Sequence, residues 1–443
     1  MFLKENFIGK KCLIIGGGKS GLSAAKLLNS RLKCDVIISD SKPLNTRFKT
    51  IMETEANKII NTVDFAVKSP GIGNENVVLK KLKELEIPIF SEVEVALSFS
   101  KTENIIMITG TNGKSTTTYL TWLILDNYLK KRNSKAILCG NIGKPISKEI
   151  LKSKKDDWVV AEISSYQIED STYIKPKIAM ILNITPDHIE HHGNMENYIN
   201  AKFKIFSFMD RNDTLIINKD DKILNKLRNK KFKILSFSLK DKKANSYFEK
   251  GKIILKHNEK TYKLNPAKIP GEHNLQNQMA AIIAAIEAEA DYKTIQNTLN
   301  LFKGLEHRIE IVREINGVTY INDSKATNVD STLIALKALG KKKNIWLIMG
   351  GVHKNAPYTP LLSPVKKYVK KILLIGESAS IIEKDLGKSQ TVRCETLENA
   401  VKYAFKNASR GDIVLLSPAC ASFDQFKNYE DRGRKFKKAV NML

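Results

Sequence analysis

The stretch Asn104-Ile-Ile-Met-Ile108-Thr-Gly110-Thr111-Asn112-Gly113-Lys114-Ser115-Thr116 decides the fold. A short apolar run reads as a buried strand, a glycine turn follows, and a helix is predicted from about Ser115 to Tyr128. That order places backbone N–H groups around an anion, at the positive end of a helix dipole. Lys114 then reaches the β- and γ-phosphates of a nucleotide, and the hydroxyl of Ser115 or Thr116 is placed to hold Mg²⁺. The common form of such a loop begins with glycine where this chain has Ile108, so the loop is a shortened variant.

Outward from this loop the same alternation recurs. Upstream, Cys12–Ile15 and Val36–Ser39 read as strands, Gly21–Asn29 as a helix, and Val63–Val67 as a further strand. Downstream, Trp158–Ala161 and Ile178–Leu182 are apolar enough for buried strands, and residues 213–265 read as a strand-rich, lysine-dense periphery. His273–Ala290 is an Ala-rich amphipathic helix. A third unit starts near Gly304, where two strands flank Asn316-Gly317, a hairpin signal because both positions tolerate positive φ. Strands at 345–349, 372–375 and 413–416 follow. The reading is an α/β chain of three domains: residues 1–96 Rossmann-like, 97–303 with a phosphate-loop ATPase-type parallel sheet, and 304–443 Rossmann-like.

Polar residues gather where these strands end, and strand ends are where α/β proteins bind ligands. Gly16-x-Gly18-x-x-Gly21 follows a strand and opens a helix, with Asp40 19 residues beyond Gly21. A nicotinamide dinucleotide is the usual ligand of that pattern, and a tight ligand-free turn is the plain alternative. Glu162 ends a strand beside the phosphate loop, where Mg²⁺ needs an oxygen. Asn183-Ile-Thr-Pro-Asp187-His188-Ile-Glu-His191-His192 carries three of the seven histidines. His188 reads as a metal ligand or general base, His191 and His192 equally as surface residues. Asn322-Asp323-Ser324-Lys325-Ala326-Thr327-Asn328 crowds a strand end; Thr327 or Asn328 equally serves as a helix N-cap. Ser417-Pro-Ala-Cys-Ala-Ser422-Phe423-Asp-Gln-Phe426 reads as strand running into helix, with first-turn N–H groups suited to a carboxylate. Cys420 within it lacks a His or Asp partner in sequence and reads as structural.

The 443 residues carry 73 Lys+Arg against 47 Asp+Glu, a net charge of +26. The lysines are spread along the chain, which reads as a solvated basic surface. A nucleic-acid groove would interleave aromatics with basic runs, but aromatics are only 7% and no such run is present. Five cysteines, an odd number without metal-site spacing, point to a reducing cytosol. No apolar run approaches the ~18 residues of a membrane helix.

Taken together, G-T-N-G-K-S-T, E-I-S-S-Y-Q-I-E, N-I-T-P-D-H, H-N-x-x-N, H-R, N-D-S-K-A-T-N and S-P-A-C-A-S-F-D-Q-F, in this order, resemble the Mur ligases. The similarity is greatest to the branch that adds D-glutamate to UDP-N-acetylmuramoyl-L-alanine in peptidoglycan precursor synthesis. The resemblance spans the chain from Gly16 to the last helix. It implies that the N-terminal domain holds UDP rather than NAD, with Lys19, Ser20, Asp40, Ser41 and Asn141 near the sugar nucleotide. It implies ATP on Gly110, Thr111, Asn112, Gly113, Lys114, Ser115, Thr116, Asn274, Arg308 and Asp323, with Asn277 and His307 lining the site. Lys114, Glu162, His188 and Lys202 would be catalytic. Two Mg²⁺ ions would take Ser115, Glu162, His188 and Lys202, the lysine as a carbamate. Lys325, Thr327, Lys354, Ser422 and Phe423 would receive D-glutamate. Relatives often carry an acidic residue before the last-named lysine, where this chain has Val352-His353. A cytoplasmic monomer acting through an acyl phosphate, with closure of the C-terminal domain against water, completes the expectation.

Overall fold

The computed structural model describes residues 2–73, 75–228, 231–354 and 356–443. The chain divides into two compact units, Met1–Ala267 with His273–Leu301, and Lys268–Glu272 with Phe302–Leu443. Three sheets run through them.

The first sheet is wholly parallel. Its strands are β1 (Lys11–Ile15), β2 (Asp35–Asp40), β3 (Lys49–Met52), β4 (Phe65–Lys68) and β5 (Ile89–Ser91), in the order β3-β2-β1-β4-β5. β1 is apolar without alternation because helices cover both faces, as a central parallel strand requires; Cys12 through Ile15 are buried. The turn after β1 is built for glycine. Gly16 has φ +89°, and a Cβ on Gly21 would lie 1.9 Å from Gly16 O. The helix Lys19–Leu32 therefore starts tight against the strand end.

The second sheet comprises β6 (Ile105–Thr109), β7 (Ala136–Gly140), β8 (Trp158–Glu162), β9 (Ile178–Ile181), β10 (Thr214–Asn218), β11 (Lys233–Ser238), β12 (Ser246–Glu249), β13 (Lys252–His257) and β14 (Lys260–Leu264). Its order is β14-β13-β12-β11-β10-β9-β6-β8-β7. It is parallel from β7 to β12 and ends in the antiparallel meander β12-β13-β14, the lysine-dense periphery. Within this unit the first two sheets are joined through the helix Glu92–Leu97. Buried Glu94 accepts hydrogen bonds from Phe2 N and Thr172 N, and buried Glu92 from Ser147 N. Lys68, at the end of β4, donates to Asp170 at 2.5 Å in a nearly solvent-free pair.

The third sheet has β15 (Glu310–Ile315), β16 (Val318–Asn322), β17 (Ile345–Gly350), β18 (Val369–Ile375), β19 (Thr391–Glu395) and β20 (Ile413–Leu416), ordered β15-β16-β20-β17-β18-β19. β15 and β16 form the expected hairpin, with Asn316 at φ 51° and Gly317 at φ 76°. The remaining pairs are parallel. One expectation fails here. Ser417–Phe426 does not run into a helix; the next helix is Tyr429–Asn441, capped by Asn428. Pro418 removes an N–H, Ala419 sits at φ +58°, and Ala421 pairs with Val352 in an isolated bridge, so the segment folds back instead of coiling.

No helix among the described residues is long and apolar enough to cross a membrane.

Candidate functional site

In the first unit the phosphate loop leaves β6 and enters the helix Lys114–Leu129. Gly110 (φ +150°) and Gly113 (φ +85°) take conformations that other residues avoid. A Cβ on Gly113 would also strike Asn277 Oδ1, so the glycine lets the helix Glu272–Glu287 lie against the loop. Asn277 in turn donates to Asn274 Oδ1. The loop is stitched to the end of β9. Asn112 N donates to Asn183 Oδ1 at 2.8 Å, and Asn183 Nδ2 returns a bond to Asn112 O at 3.0 Å. Thr111 Oγ1 lies 2.9 Å from Tyr198 Oη. Lys114 Nζ donates to Gly110 O and Thr111 O at 2.7 and 2.8 Å. Ser115 and Thr116 are buried in the first helical turn.

Glu162 ends β8 in register with Ile108, one strand over from the loop. It is 2% exposed. Oε1 accepts from Asn141 Nδ2 at 2.7 Å, whereas Oε2 is buried without a hydrogen-bond partner. A buried carboxylate oxygen is costly unless a cation or donor meets it. A divalent cation beside the loop fits that oxygen, and Mg²⁺ prefers oxygen ligands. His188 sits at φ +54° where the chain turns into the short helix Ile189–His192. Desolvation lowers its pKa against the opposing pull of Asp187.

Lys202 is 1% exposed, on the helix Met195–Phe203, with Nζ 3.3 Å from Gly110 O and 4.5 Å from the Tyr198 ring centre. Burial, reinforced by Lys114, lowers its pKa to about 7. The amine is therefore available in neutral form near neutrality, the form that adds to carbon dioxide. A stability consequence follows. Between about 7 and the ordinary 10.5 the unfolded chain holds a proton that the folded chain has shed, so this lysine makes stability rise with pH across that window. Lys202→Met is expected to flatten the slope in denaturant titrations from pH 7 to 10 in carbon-dioxide-free buffer; an unchanged slope would refute it.

At the first sheet, Asp40 Oδ2 accepts from Gly17 N at 2.7 Å, so this carboxylate braces the glycine turn. Lys19 and Ser41 are exposed beside it and Ser20 is half-buried. Asn141 donates through its side-chain amide to Glu162 Oε1. Sequence reading missed three lysines here, Lys26, Lys144 and Lys148. A cavity of about 530 Å³ is lined by Lys19, Lys26, Lys144 and Lys148 among others, between the helix Lys19–Leu32 and the segment after Gly143. For Lys144 and Lys148 the signal was Gly143-Lys144-Pro145-Ile-Ser-Lys148, two residues after Asn141.

In the second unit, Asp323 is buried at the end of β16. It accepts from Ile309 N at 3.2 Å and Ser417 Oγ at 2.8 Å, and burial raises its pKa to about 7. His307, at φ +65°, pairs through Nδ1 with Asn322 Nδ2 at 2.9 Å, and Lys325 N donates to His307 O. Arg308 follows His307 directly and contributes to the field on Asp323. Lys325 Nζ lies 5.2 Å from the Tyr429 ring centre. Thr327 N donates to Lys325 O, and Asn328 is the N-cap of the helix Val329–Leu339, the plainer of its two readings. Ser422 is buried, Phe423 is 73% exposed, and Lys354 is exposed two residues beyond the Val352–Ala421 bridge. Cys420 is a structural residue: fully buried, 2.9 Å from Tyr358 Oη and 3.2 Å from Ser378 Oγ, with its thiol pKa raised by burial.

Sequence reasoning also missed Arg432, which is 0% exposed. Its guanidinium donates to Ser324 O and Oγ at 2.9 and 3.0 Å, Cys420 O at 3.1 Å, and Gly350 O and Ala421 O at 3.4 Å. It thus ties together the three loops that carry Lys325, Lys354 and Ser422.

Comparison with known proteins agrees with this layout. Residues 108–285 match the Mur ligase middle domain and residues 307–420 the Mur ligase glutamate ligase domain. The chain is 45% identical to UDP-N-acetylmuramoylalanine--D-glutamate ligase of Elusimicrobium minutum, covering 100% of both. It is 39% identical to the protein of that name from Clostridioides difficile, covering 98% of this chain and 99% of the relative. Among solved structures, the fold is similar to UDP-N-acetylmuramate-alanine ligase of Thermotoga maritima (TM-score 0.60, 19% identity, 98% and 99% covered). It is also similar to MurF ligase of that organism in complex with ADP (TM-score 0.60, 16% identity, 92% and 95% covered). Full-length similarity at this level, together with the phosphate loop, Glu162 and the hairpin-borne Asp323, establishes that the chain belongs to the Mur ligase family.

Proposed function

We propose that the chain is the ATP-dependent ligase that joins D-glutamate to UDP-N-acetylmuramoyl-L-alanine. The observation that carries the chemistry is the partnerless, buried Oε2 of Glu162 beside a glycine loop bearing Lys114. Full-length relatives carrying that enzyme's name support the choice of substrates.

Lys114 and the loop N–H groups hold the β- and γ-phosphates of ATP, with Asn274, Arg308 and Asp323 as further ATP contacts. The bond from the γ-phosphorus to the β-bridging oxygen breaks, a carboxylate oxygen of the alanyl substrate takes the phosphoryl group, and ADP leaves. The amine of D-glutamate attacks the acyl phosphate carbon. A tetrahedral intermediate then expels phosphate as the nitrogen loses its proton. Ser115 and Glu162 would hold one Mg²⁺, His188 and carbamylated Lys202 a second; the ions supply neutralisation of the triphosphate charge. Lys325 and Lys354 pair with the glutamate carboxylates, with Thr327, Ser422 and Phe423 completing the pocket.

For the sugar nucleotide, Lys19, Ser20, Asp40, Ser41 and Asn141 are the contacts. The lysine-lined cavity supports an anionic diphosphate at this place. Asp40 would position the turn through Gly17, and Asn141 would sense the substrate while holding Glu162. The boundaries fall at 96/97 and 303/304. Five free, buried cysteines fit a reducing cytosol, where the chain acts as a monomer.

The test is ADP release with UDP-N-acetylmuramoyl-L-alanine and a panel of amino acids. Turnover is expected with D-glutamate and to fall by about 100-fold or more with L-glutamate, because an inverted centre cannot satisfy both carboxylate partners. Equal turnover of the two enantiomers would overturn the assignment.

A further inference from the structure

Apart from the residues given roles above, Glu169, His191 and His192 bring three ligand-type atoms together. Glu169 closes the helix Ser165–Glu169, and the two histidines end the helix Ile189–His192. Glu169 Oε2 lies 2.8 Å from His191 Nε2 and 3.6 Å from His192 Nδ1, and all three atoms lie within 4.8 Å of one another. Ligands of a tetrahedral ion bound at about 2.0–2.1 Å stand roughly 3.3 Å apart. The two separations bracket that value.

His192 supplies a second, independent argument. Its side chain is fully buried, Nε2 lies 3.0 Å from Ser165 Oγ, and Nδ1 is without a hydrogen-bond partner. With Nε2–H donating to Ser165, Nδ1 turns a lone pair toward the Glu169 carboxylate. Two acceptors facing each other across 3.6 Å, one of them on a fully buried ring, repel unless a cation lies between them. The opposite tautomer places an N–H 3.6 Å from the same oxygen, too far for a normal hydrogen bond. A hydroxyl on the far nitrogen of a ligating histidine is also the usual way such a ring is oriented. Tyr166 packs on both imidazoles, at 4.2 and 5.6 Å between ring centres, and holds them in place. Glu169 and His191 keep 23% and 15% exposure, which leaves an entry path and room for a water ligand.

We propose that Glu169 Oε2, His191 Nε2 and His192 Nδ1 bind a transition-metal cation of the Zn²⁺ class, with water as the fourth ligand. Two imidazoles and one carboxylate suit Zn²⁺ or Co²⁺ and disfavour Mg²⁺, which takes oxygen ligands. The site is separate from the Ser115, Glu162, His188 and Lys202 set and stands whether or not the ligase reading does. Tyr166 also packs on His188, at 5.0 Å, so a filled site would fix the ring against which His188 rests.

The test is a Co²⁺ titration of the metal-stripped full-length chain in excess Mg²⁺ and ATP, read by the visible d–d bands of four-coordinate Co²⁺. One ion per chain is expected, displaced by Zn²⁺. Affinity should fall by more than about 100-fold, the upper end of losing an outer-shell partner alone, in His191→Ala and in Glu169→Gln, and persist in His188→Ala. No band in the unsubstituted chain, undiminished affinity in His191→Ala, or loss in His188→Ala with retention in His191→Ala would each overturn the proposal. Should the variants not fold, Zn²⁺-soaked crystals of the unsubstituted chain decide. An anomalous peak about 2 Å from the three atoms supports the site, and a peak only elsewhere refutes it.

Discussion

Lys114→Ala is expected to lower ADP release, with both acceptor substrates present, by at least about a thousand-fold. The expectation rests on where the amine is held. Nζ bonds Gly110 O and Thr111 O across the mouth of a loop whose backbone is fixed by two positive-φ glycines and stitched to Asn183. The charge is thus preorganised, and its contribution grows as negative charge spreads over the transferring phosphoryl group. ATP affinity should fall far less than the rate, since the loop N–H groups remain. Lys114→Arg should not rescue, because the bulkier planar guanidinium does not fit the compact ammonium's place between the two carbonyls and the phosphates. Single-turnover ADP formation measures the chemical step; near-normal phosphate release by Lys114→Ala would sink the assignment.

The second large effect is on stability. Arg432→Ala takes this donor from the carbonyls of Ser324, Gly350 and Cys420 in a place closed to water, while Ala421 O keeps its bond from Val352 N. Each orphaned group costs about 1–3 kcal/mol, and the cavity adds to it, so a loss of roughly 4 kcal/mol is expected. For a unit of this size that is a fall of about 10 °C in Tm. The loops tied by Arg432 carry Lys325, Lys354 and Ser422, so KM for D-glutamate should rise while ATP binding changes little. Arg432→Lys should recover only part, because an ammonium cannot span three loops with a planar fork. Calorimetry of the full chain is the check; a Tm within about 1 °C of the unsubstituted chain would show that the guanidinium is not the tie.

What could be read from residues alone follows a physical line. β1, β6, β8, β9, β17 and β20 were legible because burial on both faces makes an unbroken apolar run. Asn316-Gly317 was legible because few residues accept two positive φ values in succession. β3 (Lys-Thr-Ile-Met) and β19 (Thr-Val-Arg-Cys-Glu) lie at sheet edges and carry mixed residues, so no apolar run marks them. The helix foreseen after Ser417 failed because a strand-end motif looks alike whether the chain coils or folds back. Arg432 was hidden in Tyr-Glu-Asp-Arg-Gly-Arg-Lys-Phe-Lys-Lys, a run that reads as a solvated face; only the neighbouring loops bury it. The Asn141–Glu162 bond joins residues 21 apart at the ends of adjacent strands and has no local signature.

The strands that terminate the sheets bear on edge-to-edge aggregation. A terminal strand offers a row of unpaired amides and carbonyls, a template on which another molecule's strand can polymerise. Lys49 is exposed on β3, Lys260 and Lys263 on β14, Arg313 and Glu314 on β15, and Arg393 and Glu395 on β19. β15 is further distorted by a bulge between Ile311 and Arg313. Bringing two such borders together would desolvate these charges. Charged side chains at these borders oppose strand-on-strand accretion, a use of charge that requires no anionic ligand at all.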